Sequence, residues 1–277
     1  DLIIADEAHR LRKASSQTTH GIRKIQSQRF WALTGTPVER DKEDIAVLLS
    51  ILNPKQFSHV DSKRAINSLR SNLRPYLLRR KKSDVLDELP PVVESTELLE
   101  LTTEQKTAYK KTLKTHRPTV GADGQLGLFG KLMRICDLDP DTKSSSKIDR
   151  IEEVLSDISK MNQKAVIFSH TLDPLTELGN RLERSMAPNY FVKIVGEMSL
   201  SERVDAINKF KHESACTVLL ASSKVASEGL TLTEANHVLF INLWWNPSSN
   251  EEARDRGVRI GQTRDVYVRS FITQETV

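Results

Sequence analysis

Two neighbouring carboxylates follow a short apolar segment near the start of the sequence. The residues from Leu2 to Ala5 predict a buried strand, and Asp6 and Glu7 come directly after it. Open α/β sheets bind ligands at the carboxyl ends of their strands, where these two side chains would lie. One carboxylate there can hold Mg²⁺ beside a substrate phosphate, and the next can activate the attacking water. The alternative is that both acids only cap the following helix.

A second apolar segment ends in hydroxyl-bearing residues. The residues from Trp31 to Leu33 predict a strand, and Thr34, Gly35 and Thr36 follow it before a proline. Hydroxyl groups at the tip of a strand can hydrogen-bond both a phosphate and neighbouring carboxylates. This element could therefore sense the state of a bound nucleotide, although taken alone it reads as an ordinary turn.

Two arginines near the end of the chain could act on a phosphate. Asn246 and Pro247 are typical of the N-cap and first position of a helix, which predicts that Arg256 and Arg259 share one helical face. Guanidinium groups stay ionised and donate in a fixed fork, which suits the charge that develops on a transferring phosphoryl group. The alternative is a surface helix with ion pairs, because each arginine has a carboxylate four residues before it.

Short apolar segments alternate with helical patterns in the second half of the chain. Apolar residues recur at helical spacing after Lys147 and again after Leu172. Near-continuous apolar strands alternating with amphipathic helices indicate an α/β fold with a parallel sheet covered on both faces. The predicted strands run from Ala165 to Phe168, Phe191 to Val195, Val218 to Ala221, Val238 to Ile241 and Val266 to Ile272.

Composition limits the class of protein. The chain has 277 residues, of which 38% are hydrophobic and 28% charged, and this predicts a globular protein of two domains. No apolar run approaches the ~18 residues of a membrane span, and no signal peptide is evident. The two cysteines, Cys136 and Cys216, have no metal-binding or disulfide-framework spacing. A net charge of +4 is compatible with a basic groove on one face.

The same patterns divide the chain into three parts. Residues 1–100 predict the carboxyl-terminal part of a first lobe together with a linker. Residues 101–146 predict a short helical insertion, with helical patches from Glu104 to Leu113 and from Leu126 to Leu138. Residues 147–277 predict a second, complete lobe.

These segments, together with others along the chain, occur in the order of the conserved sequence motifs of the Swi/Snf-like ATPases. The chain therefore resembles this family, which is the double-stranded-DNA-translocating branch of helicase superfamily two. The resemblance extends over essentially the whole chain. The matching boxes are Asp6-Glu7-Ala8-His9 (Walker B), Leu33-Thr34-Gly35-Thr36-Pro37 (motif III), Leu78-Arg79-Arg80-x-Lys82-x-Asp84-Val85 with Leu89-Pro90 (linker), Ala165 to Ser169 (motif IV), Glu228 to Thr233 (motif V) and Arg256-x-x-Arg259-Ile260-Gly261-Gln262 (motif VI).

The resemblance implies two RecA-like lobes, with ATP bound in the cleft between them and parallel sheets flanked by helices. Asp6 would hold Mg²⁺, with Glu7 beside it activating the hydrolytic water. Arg256 and Arg259 would be catalytic arginines from the second lobe, and both would contact the nucleotide. Further nucleotide contacts would come from Gly229 and Gln262, and the DNA-binding or coupling residues would be Thr34, Gly35, Thr36, Ser169, Ser222, Ser223 and Lys224.

Two departures from the family pattern stand out. No G-x-x-x-x-G-K-[ST] loop occurs, because the one Gly-Lys pair, Gly130-Lys131, has Gln125 and Leu132 at the positions of the leading glycine and the hydroxyl residue. We therefore expect this chain to be a piece of a longer protein, and to be inactive by itself. Motif VI usually carries Gln four residues before its first arginine, whereas Glu252 stands there.

The resulting hypothesis is that the intact parent is an ATP hydrolase that moves along double-stranded DNA. ATP and Mg²⁺ would be its cofactors, and DNA and DNA-bound proteins its partners. A non-catalytic DNA-binding scaffold remains an alternative because the phosphate loop is missing, and a strand-separating helicase is another. We expect an intracellular protein, and the short insertion favours the cytoplasm of a bacterium over a nucleus.

Overall fold

The chain forms two compact units, Asp1–Leu86 and Asp87–Val277. The computed structural model describes residues 1–35, 42–57, 74–80, 90–115, 122–223 and 231–276. Three of the predicted site residues, Thr36, Lys224 and Gly229, lie outside the described residues, as do residues 81–89 of the linker box.

Unit 1 contains two parallel strands with helices on one face. Ala8 and Leu11 pack with Leu48 in a small core. The opposite face of the sheet, which carries Ile4 and Trp31, is exposed within the described part of the chain. The first strand, which the sequence predicts to be buried, is therefore covered on one face only. The elements are β1 Leu2–Ala5, a 3₁₀ helix Ala8–Leu11, α1 Gln17–Arg23, β2 Arg29–Ala32, α2 Lys42–Leu52 and α3 Pro54–Phe57.

Unit 2 is built on a six-stranded sheet in which every described strand pairing is parallel. The strand order is β3-β8-β7-β4-β6-β5, and β4 and β6 are in register from Ala165 opposite Val218 to Ser169 opposite Ser222. Every strand that the sequence predicted in this half is present. The strands are β3 Val92–Leu99, β4 Ala165–Ser169, β5 Phe191–Ile194, β6 Val218–Ser222, β7 His237–Phe240 and β8 Val266–Thr273.

Helices cover both faces of this sheet, and each face has its own apolar core. Ile148 and Leu155 pack with Leu178 on one face, while Phe210 and Val258 pack on the other. None of the helices in the described ranges combines the length and apolar character that crossing a bilayer requires. The helices are α4 Thr103–Thr115, α5 Ala122–Asp137, α6 Ser146–Lys160, α7 Leu172–Ser185, α8 Leu200–His212 and α9 Pro247–Arg254.

The strand β3 differs from the sequence-based division of the chain. Residues up to 100 were placed in the first lobe, but β3 pairs with β8 along its whole length and belongs to unit 2. The middle of its sequence, Glu94 to Glu97, is polar, and ion pairs of Glu94 with Arg254 and of Glu97 with Arg150 fix the strand at the edge of the sheet. A polar edge strand gives little of the apolar signal by which buried strands are recognised.

The helical insertion is fastened to unit 2 by a buried glutamine. The Gln105 amide nitrogen donates to the carbonyl oxygens of Ile135 at 2.8 Å and Cys136 at 3.2 Å, and its oxygen accepts from the backbone N–H of Ser146. One side chain thus joins α4 to the end of α5 and the start of α6. The two predicted helical patches are both found, as α4 and α5.

Buried His237, at the start of β7, should make the stability of unit 2 depend on pH. Burial, followed by the positive charges of Arg269 and Arg264, lowers the pKa of His237 to about 4. A histidine in an unfolded chain titrates near pH 6.5, so the unfolded state binds the extra proton between these values. The free energy of unfolding should therefore be highest above about pH 6.5 and fall by up to about 1.4 kcal/mol per unit as the pH decreases towards 4.

Urea titrations at pH 7 and pH 5 test this pH dependence. Trp244 and Trp245 report on unit 2 once Trp31, in unit 1, has been replaced by Phe. Between the two pH values the wild type should lose about 2 kcal/mol more than the His237→Gln variant, which keeps an amide donor but cannot titrate. Equal losses of stability in both proteins would show that His237 does not cause the pH dependence.

Candidate functional site

The ends of β1 and β2 bring the first group of predicted site residues together. The backbone N–H of Leu33 donates to the carbonyl oxygen of Ala5, and the N–H of Ala8 donates to the carbonyl oxygen of Leu33, both at 2.8 Å. Glu7, between these bonds, has a left-handed backbone with a φ of 49°. Such a conformation is uncommon for a non-glycine residue, and residues of this kind cluster at functional sites.

His9 links the acidic pair to the hydroxyl turn. Its Nδ1 atom lies 3.2 Å from the Glu7 Oε2 atom and 3.4 Å from the Thr34 Oγ1 atom. A single imidazole thus contacts the residue predicted to activate water and a residue predicted to couple nucleotide and DNA. Gly35 follows in the same turn and is exposed.

The acidic pair has donors that fit Mg²⁺. Asp6 is exposed, and its Oδ1 atom accepts a hydrogen bond of 2.9 Å from the backbone N–H of Glu7. Within the described ranges no group of three or more His, Cys, Asp or Glu side chains could hold a metal ion. Mg²⁺ at phosphate sites commonly takes only one or two protein carboxylates and keeps several waters, so the chemistry of this pair fits such a site.

The arginine segment of unit 2 begins as predicted but ends earlier. The Asn246 side chain accepts from the backbone N–H of Ser248, and Pro247 begins α9. The helix ends at Arg254, so the prediction that Arg256 and Arg259 share its face is wrong.

The turns after α9 are explained by a close contact between Gly257 and β7. A Cβ atom on Gly257 would lie 2.9 Å from the Val238 Cγ2 atom, so the chain approaches β7 more closely than any other residue type would permit. Glycine also favours the helix less than other residues except proline. The segment therefore turns against the sheet instead of continuing along the helix axis.

Both arginines are held by groups of their own unit. Arg256 is buried, and its Nη2 atom lies 2.7 Å from the Glu252 Oε1 atom. The Arg259 Nη1 atom donates to the Thr231 hydroxyl at 2.9 Å. The backbone N–H of Leu232 also donates to the carbonyl oxygen of Arg256 at 3.0 Å. The residues of motif V and motif VI that the structure describes are thus directly bonded to each other.

Gln262 has a different position from the one expected of a nucleotide ligand. It is buried, and its amide nitrogen donates to the carbonyl oxygens of Thr233 at 3.0 Å and Ala235 at 2.8 Å. Its oxygen accepts from the backbone N–H groups of Thr263 and Arg264. These bonds use both its donors and its acceptor. Gln262 therefore joins the loop before β7 to the loop before β8 and does not lie on an open surface.

The predicted coupling residues Ser169 and Ser222 lie side by side at the carboxyl edge of the sheet. Both are buried, and Ser223, the next residue, is half-buried. The Ser169 hydroxyl donates to the carbonyl oxygen of Thr171 at 2.8 Å and accepts from the Asn242 amide at 3.1 Å. A buried hydroxyl bonded in this way can transmit a movement, but it does not present itself to DNA.

Asn242 organises this edge, although the sequence-based reasoning gave it no role. Its Oδ1 atom accepts from the backbone N–H of His170 at 2.7 Å, and its Nδ2 atom donates to the Asp137 Oδ2 atom at 2.6 Å. Asp137 also pairs with Lys147 at 2.7 Å, and the His170 ring stacks on Trp244. The available signal was a single polar residue that interrupts the apolar run of β7 and the residues after it.

Comparison with known protein families agrees with these features. Residues 1–170 match the model of the SNF2-related domain, which is more than half of the chain. The chain belongs to the SNF2-related family. Residues 146–261 of this SNF2-related chain also match the helicase conserved C-terminal domain, and the predicted resemblance is confirmed.

Individual SNF2-related proteins resemble the chain over nearly its whole length. YwqA of Bacillus subtilis, whose name describes an ATP-dependent helicase/translocase, is 30% identical over 99% of the chain and 33% of its own length. A mouse SWI/SNF-related, matrix-associated, actin-dependent regulator of chromatin, subfamily A member 1, is 27% identical over 99% of the chain and 30% of its own length. The chain therefore spans about a third of these relatives.

A solved structure supports the fold assignment. The SWI2/SNF2 ATPase core of Sulfolobus solfataricus in complex with double-stranded DNA is 27% identical, with a TM-score of 0.56 over 98% of this chain and 63% of that one. The predicted α/β fold with parallel sheets flanked by helices, typical of RecA-like lobes, is confirmed.

Proposed function

We propose that the protein containing this chain is an ATP hydrolase that uses the energy to move along double-stranded DNA. The observation that carries the proposal is the Glu7-His9-Thr34 contact in unit 1, because in a chain of the SNF2-related family it joins the carboxylate predicted to activate water to the turn predicted to couple to DNA. The similarity to a SWI2/SNF2 core in complex with double-stranded DNA supports DNA as the substrate track.

The acidic pair would serve the nucleotide and the attacking water. Asp6 would hold Mg²⁺ with Glu7 beside it, and the ion when bound would neutralise charge on the phosphates. The Glu7 carboxylate accepts a proton from the attacking water, and the contact with His9 fixes the orientation of that carboxylate. The Thr34 hydroxyl, which contacts the same Nδ1 atom of His9, would sense this arrangement.

The arginine pair would stabilise negative charge during phosphoryl transfer. Arg256 and Arg259 donate from planar, permanently charged groups, which suit the oxygens of a transferring phosphoryl group. The contact of Arg259 with Thr231 and the bonds of Gln262 place both arginines on one bonded segment. A displacement of this segment would therefore move both charges together.

Residues at the strand ends would couple the nucleotide to DNA. Thr34 and Gly35 end β2, and Ser169, Ser222 and Ser223 lie at the carboxyl edge of the sheet of unit 2. The burial of Ser169 and Ser222 favours an indirect role for these two hydroxyls. We propose that Thr36 and Lys224, outside the described residues, act with them, and that Gly229, also outside the described residues, contacts the nucleotide, as the family resemblance implies.

The test is made on the full-length protein, because these 277 residues contain no phosphate-binding loop. Double-stranded DNA should stimulate ATP hydrolysis and allow a third strand to be displaced from a triplex, without unwinding of a forked duplex. Unwinding would instead favour a strand-separating helicase, and DNA binding without hydrolysis would favour a scaffold.

Replacing Glu7 by Gln provides the matched loss-of-function control for this test. The amide keeps the shape of the side chain but cannot accept the proton, so kcat should fall about 10²–10⁴-fold while ATP binding remains. DNA-stimulated hydrolysis at the wild-type rate by this variant would contradict the role of Glu7.

A further inference from the structure

The strongest unassigned feature is the counter-ion of Arg256. Glu252, on the last turn of α9, places its Oε1 atom 2.7 Å from the Arg256 Nη2 atom. The arginine side chain is 10% exposed and the glutamate side chain 33%. The contact is therefore a charge-assisted hydrogen bond with one partner sheltered and the other within reach of water.

The Arg256 guanidinium is not fully satisfied in this position. Its Nε atom is buried and has no hydrogen-bond acceptor within the described part of the chain. An unmade hydrogen bond at a buried charged donor is costly, so an acceptor that reached this atom would be favoured. An oxygen of a phosphate is such an acceptor, because it matches the geometry of the guanidinium fork.

The carboxylate of Glu252 competes with a phosphate for the same group. The carboxylate and the phosphate are both oxygen anions that accept hydrogen bonds from the guanidinium. Either anion neutralises the charge of Arg256 when it binds. Because Glu252 is partly exposed, it regains water when it releases the arginine, and the buried guanidinium then takes the incoming phosphate as its new counter-ion. The backbone of Arg256 is meanwhile held by Leu232, so the exchange involves its side chain.

We propose that Glu252 is a positioning residue that holds the Arg256 guanidinium as an internal counter-ion, so that the phosphates of the nucleotide must displace it before Arg256 can act. The inference rests on the proposed ATPase function. The inference predicts that Glu252 slows the reaction. A residue that merely supports the fold would not have this effect.

The Glu252→Gln variant of the full-length protein tests the sign of this effect. Glutamine still offers an oxygen to the Arg256 Nη2 atom but carries no charge, so kcat/KM for ATP should rise about fivefold. In an Arg256→Ala background the same substitution should have no effect. Glu251→Gln, an exposed neighbour on α9, is the matched control and should leave kcat/KM unchanged. A decreased or unchanged kcat/KM in Glu252→Gln would overturn the proposal.

A second measurement does not depend on hydrolysis. Phenylglyoxal modifies accessible arginines, and mass spectrometry of the peptide containing Arg256 should show several-fold faster modification in Glu252→Gln than in the wild type. Exposed Arg264 is the internal reference and should react equally in both. If the full-length protein hydrolyses no ATP, the proposed function fails, and the modification rates still decide the counter-ion role: faster modification supports it and equal rates refute it.

Discussion

Replacing Arg259 by Ala in the full-length protein should lower DNA-stimulated kcat for ATP hydrolysis about 10³-fold or more. The reason is electrostatic, because the guanidinium is preorganised to meet negative charge that is largest in the transition state. The Thr231 hydroxyl now accepts from its Nη1 atom at 2.9 Å, which fixes the side chain before the reaction. ATP binding should change much less than kcat, since the contact strengthens only as the charge develops.

Two substitutions accompany this experiment. Arg259→Lys keeps the charge but loses the fork, so its kcat should lie between those of the wild type and the alanine variant. Arg264→Ala removes an exposed arginine from the same segment and should retain nearly all activity. Wild-type turnover in Arg259→Ala would show that this arginine does not stabilise the transferring phosphoryl group.

Hydrogen bonds between motif V and motif VI couple the movement of these arginines to that of the neighbouring loop. Gln262 bonds to the carbonyl oxygens of Thr233 and Ala235, and Leu232 bonds to the backbone of Arg256. A side chain with both donors and its acceptor in use resists displacement more than a surface glutamine would. Arg256, Gln262 and the loop that precedes β7 should therefore move as one piece.

The fold could be predicted from sequence where the signal is local. Apolar runs such as Val218 to Ala221 are too short for most helices and too continuous for an exposed strand, so they indicate a buried parallel sheet. The start of α9 was equally local, because Asn246 and Pro247 act on the next residues only. The position of the acidic pair could also be predicted, because residues that directly follow an apolar strand lie at the carboxyl end of that strand.

The other features could not be predicted because their causes are distant in sequence. The helix α9 ends before Arg256 because Gly257 packs against Val238, a contact that helical periodicity cannot reveal. Gln262 was expected at the nucleotide, but its amide is used by carbonyl oxygens of the segment before β7. The strand β3 was assigned to the other lobe because its polar residues gain their partners only when β8 lies beside it.

The network around Asp137 is the clearest case of such distant pairing, and it yields the largest expected effect on stability. Burial raises the pKa of the Asp137 carboxyl, and the Lys147 ammonium and the Asn242 amide oppose that rise. Replacing Lys147 by Met removes the ammonium and leaves a buried carboxylate without its counter-ion. The free energy of unfolding of unit 2 should fall by about 3–5 kcal/mol at pH 7, measured by urea titration with the fluorescence of Trp244 and Trp245 in the Trp31→Phe background.

The pH dependence of this loss separates charge from packing. In Lys147→Met the folded-state pKa of Asp137 lies further above its unfolded value, so the destabilisation that Asp137 causes is smallest at low pH and grows as the pH rises. The deficit relative to the wild type should therefore be smaller at pH 5 than at pH 7. A deficit that does not depend on pH would point to lost packing and contradict the electrostatic explanation.

Two further variants show why the charge of Asp137 matters more than the number of contacts. Asp137→Asn combined with Lys147→Met keeps an oxygen for the Asn242 amide and removes both charges, so it should regain most of the lost stability. Lys160→Met breaks the exposed pair with Asp157 and should have a far smaller effect, because water already solvates both of those charges. The comparison locates the cost in the buried, unpaired carboxylate, since the two lysine substitutions are chemically identical and differ in the burial of the partner left behind.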